Sequence, residues 1–313
     1  MGTGRATVRR VTALAHAALV GTTASGKSAL ALAMARRDPG IELVSVDSMQ
    51  VYRGMDIGTA KPTPAERAEV PHHLIDLSDP WEDFTAAAFQ ARFREALAGI
   101  EGRGHRALLV GGTGLYLRAV VDDLEIPGRF PDVRAELERD PDTVGLHRRL
   151  QGLDAVAAGR MEPTNRRRVL RALEVTVGSG RPFSAYGPGL EAYPPTRFRL
   201  VGVELPDDVV LARITARYHD QLAAGFLDEV RRLLGHPRGL SRTARQALGY
   251  REMLDHVAGL ASLDEALDLA VRRTRRFARR QRSWFRRDPR VTWLGADDPG
   301  ALVGPLAGEL GVA

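Results

Sequence analysis

The sequence contains no cysteine, so it can form neither a disulfide nor a thiolate zinc site, which excludes a zinc-finger protein. It also lacks an apolar run of 18 residues, and no membrane-spanning helix is predicted. Internal repeats and low-complexity tracts are absent from the sequence. The 313 residues, 44% of them hydrophobic, suffice for one large α/β domain with an insertion or for two domains.

Lysine is nearly absent: Lys27 and Lys61 are the only two, although Lys and Arg together number 45. Because this chain otherwise uses arginine, the two lysines indicate places that need a compact point charge. The net charge of +6 fits a polyanionic partner but does not prove one.

The amino terminus allows two interpretations. Arg9 and Arg10 precede an apolar run over residues 11–20, a pattern that weakly resembles a signal peptide. We prefer a buried first strand, because cleavage would remove the segment that leads into the glycine-rich loop at Gly21. The prediction is therefore a cytoplasmic protein without a membrane partner.

Strand-like runs alternate with helical patterns in the first part of the chain. Residues 41–46 and 107–110 read as buried strands, and residues 28–37 and 84–100 as helices. This alternation predicts an α/β fold with a parallel sheet, which takes up a further strand at residues 198–205.

Three segments are predicted. Residues 1–121 form the first part of the core, and residues 122–196, helical and rich in arginine, form an insertion domain. Residues 197–313 complete the core and include a long basic helix over residues 262–287, which Ser262 and Glu265 begin with a capping box.

A phosphate-binding loop follows the first predicted strand and opens a predicted helix. It consists of Gly21, Thr22, Thr23, Ala24, Ser25, Gly26, Lys27 and Ser28, and it fits the pattern G-x-x-x-x-G-K-[ST]. Backbone N–H groups bind phosphate oxygens in such loops, while the lysine adds a charge and the serine hydroxyl binds Mg²⁺. The loop predicts a P-loop NTPase-like core and a polyphosphate ligand, but not which polyphosphate.

Asp47 follows the strand at residues 41–46, which places it at the carboxyl edge of a parallel sheet, beside the phosphate loop. Its position alone allows three roles: a metal-binding carboxylate as in small-molecule kinases, a base that contacts an acceptor, or a loop residue that caps a helix.

Five segments together resemble the tRNA dimethylallyltransferases, in the same order and over nearly the whole chain. Besides the loop at 21–28 they are SVDSMQVY at 45–52, DIGTAKP at 56–62, HHLID at 72–76 and GGTGLY at 111–116. The family usually has proline at the position of Thr22. Because this position contributes backbone to the loop, we expect no change in chemistry.

The resemblance implies transfer of a dimethylallyl group from dimethylallyl diphosphate to N6 of adenosine 37, beside the tRNA anticodon, with release of diphosphate. The loop would then hold a prenyl diphosphate with Mg²⁺ at Ser28. Asp47 would hydrogen-bond N6 and accept its proton, Thr113 would line the reaction channel, and Arg217 would meet the diphosphate.

The resemblance also implies contacts with tRNA, whose target base must be flipped out of its stack. These residues are Asp47, Ser48, Met49, Gln50, Thr113, Arg134, Arg167, Arg168, Val169, Leu170, Arg171, Arg245, Gln246, Ala247, Leu248, Gly249 and Tyr250.

The distribution of charge points to the same partner. Arg166, Arg167, Arg168 and Arg171 cluster at a predicted helix start, where cations oppose the helix dipole and an anion partner would explain them. Residues 271–290 hold ten arginines and one acid, a density that phosphate contacts would relieve. The partners that the resemblance implies are the tRNA anticodon stem-loop and dimethylallyl diphosphate, and the chain is expected to be a monomer.

Three alternatives stay open. The acceptor could be a free adenylate, as in an adenylate isopentenyltransferase. The chain could be a P-loop small-molecule kinase that uses ATP, or an RNA-binding P-loop protein without catalysis.

Overall fold

A six-stranded parallel sheet forms the centre of the structure, a computed structural model that describes residues 16–312. Its strands are β1 (Ala17–Gly21), β2 (Ile41–Val46), β3 (His72–His73), β4 (Arg106–Gly111), β5 (Arg199–Glu204) and β6 (Thr292–Gly295). They lie in the order β3-β2-β4-β1-β5-β6, and each neighbouring pair is parallel. The predicted α/β fold is confirmed. Of the strand predicted over residues 11–20, residues 11–15 lie outside the described part.

Helices occupy much of the described chain between these strands and after the last one. They are α1 (Lys27–Arg37), α2 (Pro64–Glu69), α3 (Ala86–Gly102), α4 (Gly114–Val121), α5 (Pro131–Glu138), α6 (Thr143–Leu153), α7 (Ala155–Gly159), α8 (Arg166–Ser179), α9 (Asp207–Ala223), α10 (Phe226–Leu234), α11 (Tyr250–Val257), α12 (Leu263–Phe285) and α13 (Val303–Leu310). Short 3-10 turns occupy Phe183–Tyr186, Ala244–Gln246 and Pro299–Leu302.

Local sequence explains where the long helices begin. The Ser262 side chain accepts from the Glu265 N–H and the Glu265 side chain from the Ser262 N–H, which confirms the capping box of α12. That helix ends at Phe285, two residues before the predicted end. Pro206 is at the cap position of α9, and Asp207 is the first helical residue. There its negative charge still complements the helix dipole.

Residues far apart in the chain build one hydrophobic core. Leu19 of β1, Met34 of α1 and Leu43 of β2 pack with Val201 of β5 and Leu306 of α13. The strands β1 and β2 are buried along their whole length, as expected for parallel strands covered on both faces. The core therefore ties the phosphate-loop end of the chain to its carboxyl-terminal part.

The chain divides into two compact units. One unit, the helical unit, is Arg118–Pro194, and the rest of the described chain forms the other, the core unit. The insertion was predicted over residues 122–196. Within 118–194 the structure contains helices and no strand, and its own apolar core includes Leu137, Leu150 and Leu173. No helix in residues 16–312 is long and apolar enough to cross a membrane.

Candidate active site

The phosphate loop lies between β1 and α1 and has the backbone shape that phosphate binding needs. Ala24 and Gly26 both have positive φ, at 63° and 87°. A side chain at Gly21 would also lie only 2.5 Å from the Val203 carbonyl oxygen, so glycine is required there. The Thr22 carbonyl accepts hydrogen bonds from the Ser25 N–H (3.3 Å) and from Lys27 Nζ, so this residue contributes backbone to the turn.

Lys27 is the buried cation of the loop. Its ammonium donates to the Thr22 carbonyl and lies 3.4 Å from Ser25 Oγ. Burial, and then repulsion by Arg217, lower the pKa of Lys27 to about 7, while attraction to Asp47 offsets part of that effect. Lys27 therefore has too little negative charge near it in the free protein, as expected of a site built for an anion.

Arg217 of α9 reaches the same loop. Its Nη2 donates to Thr23 Oγ1 at 2.8 Å, and its Nε is buried without a hydrogen-bond partner in the described part of the chain. Burial lowers the pKa of the Arg217 guanidinium, whereas Asp47 raises it. An anion at the loop would compensate both this cation and Lys27.

Asp47 follows β2 directly, at the carboxyl edge of the sheet. Its Oδ1 accepts from the Met49 N–H at 2.8 Å and the Gln50 N–H at 3.4 Å, which fixes the carboxylate in an Asx turn. Its Oδ2 forms no hydrogen bond within residues 16–312, so one oxygen is held and the other can accept from a ligand.

Thr113 lies next to this carboxylate segment. In the sheet Val46 pairs with Gly111, and the Ser48 N–H donates to Thr113 Oγ1 at 3.2 Å. Because β4 lies between β2 and β1, Thr113 follows the strand that separates Asp47 from the phosphate loop. The structure thus brings the loop, Asp47, Thr113 and Arg217 to one edge of one sheet.

Sequence reasoning missed two residues that shape the loop. Gln281 of α12 accepts from the Thr23 N–H at 2.8 Å and donates to the Gly112 carbonyl at 2.9 Å. Arg213 of α9 donates to the Ala24 carbonyl at 2.8 Å. Gln281 is one of the residues that recur at helical spacing on the buried side of α12. A polar residue on the apolar stripe of α12 is the signal that could have found it.

The remaining tRNA-contact candidates of the core unit differ in exposure. Gln50 already uses its side-chain amide on the Thr59 and Ala60 carbonyls, both at 3.1 Å. Arg245 and Gln246 are exposed, whereas the Ala247 side chain is buried. Ser48 and Met49 are half-buried, as is Leu248; Gly249 and Tyr250 are buried.

A buried carboxylate holds the segment around Tyr250. Glu229 accepts from the Tyr250 hydroxyl and from the backbone N–H groups of Asp56 and Ile57, both at 2.9 Å. Tyr250 is fully buried by these contacts and supports the exposed residues before it.

In the helical unit, two of the clustered arginines serve the fold. Arg166 donates to the carbonyls of Glu138 (3.0 Å), the last residue of α5, and of Asp140 (2.7 Å), two residues further on. Arg171 pairs with Glu174 at 2.8 Å. The expectation that an anion partner explains the whole cluster is thus too broad, because free carbonyls and Glu174 already balance these two cations.

The other arginines of this cluster are open. Arg167 and Arg168 are exposed and form no ion pair within the described residues. Val169 and Leu170 lie in the core of the unit, so they can support an RNA contact but expose little surface. A shallow pocket on this unit is lined by Arg134, Glu138, Arg166, Arg167 and Leu170.

The arginines in and just after α12 differ in whether they form ion pairs. Arg273, Arg282 and Arg286 pair with acidic residues of the core unit. Five others are exposed and form no ion pair in the described part of the chain; they are Arg275, Arg276, Arg279, Arg280 and Arg287. Of these, the four within α12 lie on the side opposite the buried residues, as their spacing of three and four requires.

A preformed metal cage is absent from residues 16–312, which contain no group of three acidic or histidine ligands suited to a metal. Ser28 is exposed at the start of α1, and its hydroxyl has no hydrogen-bond partner within that range. This arrangement fits a cation that keeps several waters and binds mainly through substrate phosphates, as Mg²⁺ does.

Comparison with known proteins assigns the sequence to a family. The family model "IPP transferase" matches residues 50–288, and the model "Isopentenyl transferase" matches residues 15–78. A tRNA dimethylallyltransferase of Nocardioides sp. is 50% identical over 288 residues, which cover 91% of this chain and 92% of that protein.

Solved structures agree with this assignment. The full-length tRNA isopentenylpyrophosphate transferase of Bacillus halodurans is 38% identical with a TM-score of 0.68, and the match covers 95% of this chain and 97% of that one. A eukaryotic dimethylallyltransferase, solved while acting on tRNA, shares the fold with a TM-score of 0.77 at 24% identity, over 92% of this chain and 75% of that one. The chain therefore belongs to the IPP transferase family.

Proposed function

We propose that this chain transfers a dimethylallyl group from dimethylallyl diphosphate to N6 of adenosine 37 in tRNA, as a tRNA dimethylallyltransferase. One observation carries the proposal. The phosphate loop, with its two under-compensated cations Lys27 and Arg217, opens at the same sheet edge as Asp47, whose Oδ2 is available. A site with an anion cradle and a separate carboxylate base suits transfer from a diphosphate to an N–H acceptor.

On the donor side, the reaction breaks the bond between the allylic carbon and the diphosphate oxygen. The leaving diphosphate keeps the electron pair. Loop amides, Lys27 and the Arg217 guanidinium stabilise the negative charge that grows on it. Their lowered pKa values in the free protein mean that they gain most when that charge arrives.

On the acceptor side, N6 of the adenine forms the new bond to carbon. Its lone pair is delocalised into the ring, so the amine is a weak nucleophile that benefits from a base. Asp47 Oδ2 accepts the N6 proton while Oδ1 stays in its turn. Thr113, bonded to the Ser48 N–H, lines the channel between donor and acceptor.

Mg²⁺ is the proposed cofactor. Ser28 would hold it together with diphosphate oxygens and water, and the ion would add positive charge to the leaving group. The exposed and unpartnered Ser28 hydroxyl supports this assignment.

For tRNA, the strongest candidates are the exposed arginines without ion pairs. These are Arg167 and Arg168 of the helical unit, together with the five exposed arginines in and just after α12, which are Arg275, Arg276, Arg279, Arg280 and Arg287. Arg134, Arg171 and Arg245 remain candidates from the family resemblance. The buried Val169, Leu170, Ala247 and Tyr250 would act as supports. The acceptor region is the anticodon stem-loop, and a monomeric, cytoplasmic enzyme remains the prediction.

Three parallel assays test the proposal with purified protein and Mg²⁺. Labelled dimethylallyl diphosphate is supplied with unmodified tRNA in one and with AMP in another, and labelled ATP is supplied in the third. We expect label in tRNA and none in AMP, with ATP unchanged. Label in AMP alone would identify an adenylate isopentenyltransferase, and phosphate transfer from ATP would identify a kinase.

A further inference from the structure

Gln281 bridges the two halves of the site. It lies on the buried face of α12 and is 6% exposed. Its Oε1 accepts from the Thr23 N–H of the phosphate loop, and its Nε2 donates to the Gly112 carbonyl beyond β4. Since an N–H can only donate and a carbonyl can only accept, these two partners fix the orientation of the amide.

The surroundings of Gln281 are built to admit it. A Cβ at Gly112 would collide with Gln281 Nε2, and a Cβ at Gly114 would collide with the Trp284 ring. One turn of α12 therefore packs against the two glycines that flank Thr113. Glycine at both positions allows this close approach.

The other end of the bridge reaches the donor cations. The Thr23 backbone N–H donates to Gln281, and the Thr23 hydroxyl accepts from Arg217, at 2.8 Å each. The chain of contacts runs from Gly112 through Gln281 and Thr23 to Arg217. It joins the acceptor-side residue Thr113 to the diphosphate-side arginine.

We infer that Gln281 is a positioning residue that sets the distance between the diphosphate loop and the acceptor side of the site. It acts through Thr23 and Gly112 and touches neither substrate. The inference rests on the proposed prenyl transfer, because it assigns Gln281 a role in that reaction. Transfer between two bound substrates is sensitive to such spacing, and a misplacement of ~1 Å can reduce a rate by roughly 100-fold.

Two variants test this role in the full-length protein. Gln281→Met keeps the length and flexibility of the side chain but loses both hydrogen bonds. Gln281→Glu keeps its shape and can still accept from Thr23, but its carboxylate cannot donate to the Gly112 carbonyl. Thr274→Val is the matched control, since it removes a buried hydrogen bond to Tyr218 (2.7 Å) on the same face of the same helix.

The readout separates catalysis from folding and from ligand affinity. Single-turnover transfer to unmodified tRNA is measured at saturating dimethylallyl diphosphate, and the dissociation constant for inorganic diphosphate is measured separately. We expect both Gln281 variants to lose about 10- to 100-fold in the transfer rate. The affinity of Gln281→Met for diphosphate should stay within about threefold, because the loop keeps its own turn and Lys27, whereas the added carboxylate of Gln281→Glu would also repel the diphosphate. Thr274→Val should transfer at the wild-type rate.

Three results would overturn the inference. They are a wild-type rate in either Gln281 variant, a loss of diphosphate affinity in Gln281→Met as large as its loss in rate, or an equal loss of rate in Thr274→Val. If Gln281→Met fails to fold, the transfer rate of Gln281→Glu at saturating dimethylallyl diphosphate decides alone. A wild-type protein that transfers no prenyl group would remove the proposed function, and with it this inference.

Discussion

Raising the pH should weaken the binding of dimethylallyl diphosphate, because Lys27 titrates near neutrality in the free protein. Burial and the nearby Arg217 lower its pKa from 10.5 to about 7. A diphosphate in the loop supplies the missing negative charge, so its binding favours the protonated lysine and restores the pKa toward the ordinary value. Above pH 7 the ligand must therefore bring a proton onto Lys27 when it binds.

The size of the effect follows from that pKa. The apparent dissociation constant rises with the fraction of neutral Lys27, which predicts about a 25-fold weaker affinity at pH 9 than at pH 7.5. At pH 8, binding should take up about 0.9 proton per ligand. The ligand itself contributes little in this range, since a terminal phosphate loses its second proton near pH ~6.

Calorimetry without tRNA measures both quantities, when each titration is repeated in buffers of different ionisation enthalpy. Lys27→Met should bind weakly and with nearly constant affinity over the same range. Arg217→Met should shift the fall in affinity to higher pH, because it removes the repulsion that lowers the pKa of Lys27. A constant wild-type affinity from pH 7.5 to 9 without proton uptake would show that diphosphate binding does not protonate Lys27.

Four further predictions concern stability, catalysis, RNA binding and packing. Between pH 7 and 10.5, Lys27 is protonated in the unfolded chain but neutral where it is buried in the folded protein. The wild-type free energy of unfolding should therefore rise by up to about 1.4 kcal/mol per pH unit, an increase that Lys27→Met should lack. Denaturant titrations that give both proteins the same slope of unfolding free energy against pH would contradict this. Asp47→Ala should abolish prenyl transfer but largely spare tRNA affinity, so a normal single-turnover rate with lost affinity would count against the base. Arg168→Ala should weaken tRNA binding and reduce by about 1 the slope of log affinity against log salt concentration. Arg181→Ala, which removes an arginine paired with Glu125, serves as the control. An unchanged slope for Arg168→Ala argues against a phosphate contact. Gly58→Ala should cost about 1–3 kcal/mol, because its Cβ would collide with the rings of Phe226 and Tyr250; a wild-type melting temperature would show that the rings can move aside.

The sequence predicted those parts of the protein that local patterns determine. Residues 41–46 were predicted as a strand and form β2 with the same bounds, because a short, mostly apolar run rich in β-branched residues lies between a Pro-Gly turn and Asp47. The phosphate loop was located by its own eight residues. Asp47 was placed at the carboxyl edge of the sheet because it directly follows a strand that was predicted to be parallel to its neighbours.

Long-range contacts were beyond such reasoning. The partners of Gln281 lie 258 and 169 residues away along the chain, and no periodicity reports such a pairing. Arg166 was grouped with cations that would need an anion, whereas its guanidinium donates to carbonyls at the carboxyl end of α5. Only the folded chain shows which arginines are already satisfied and which remain open.

The most direct measurement is the position of the label after one turnover with tRNA and dimethylallyl diphosphate. The proposed function predicts one five-carbon unit per tRNA, bound to the exocyclic nitrogen of the adenosine beside the anticodon, with one diphosphate released for each. Diphosphate release without prenylated tRNA, or label on any other nucleotide, would contradict it.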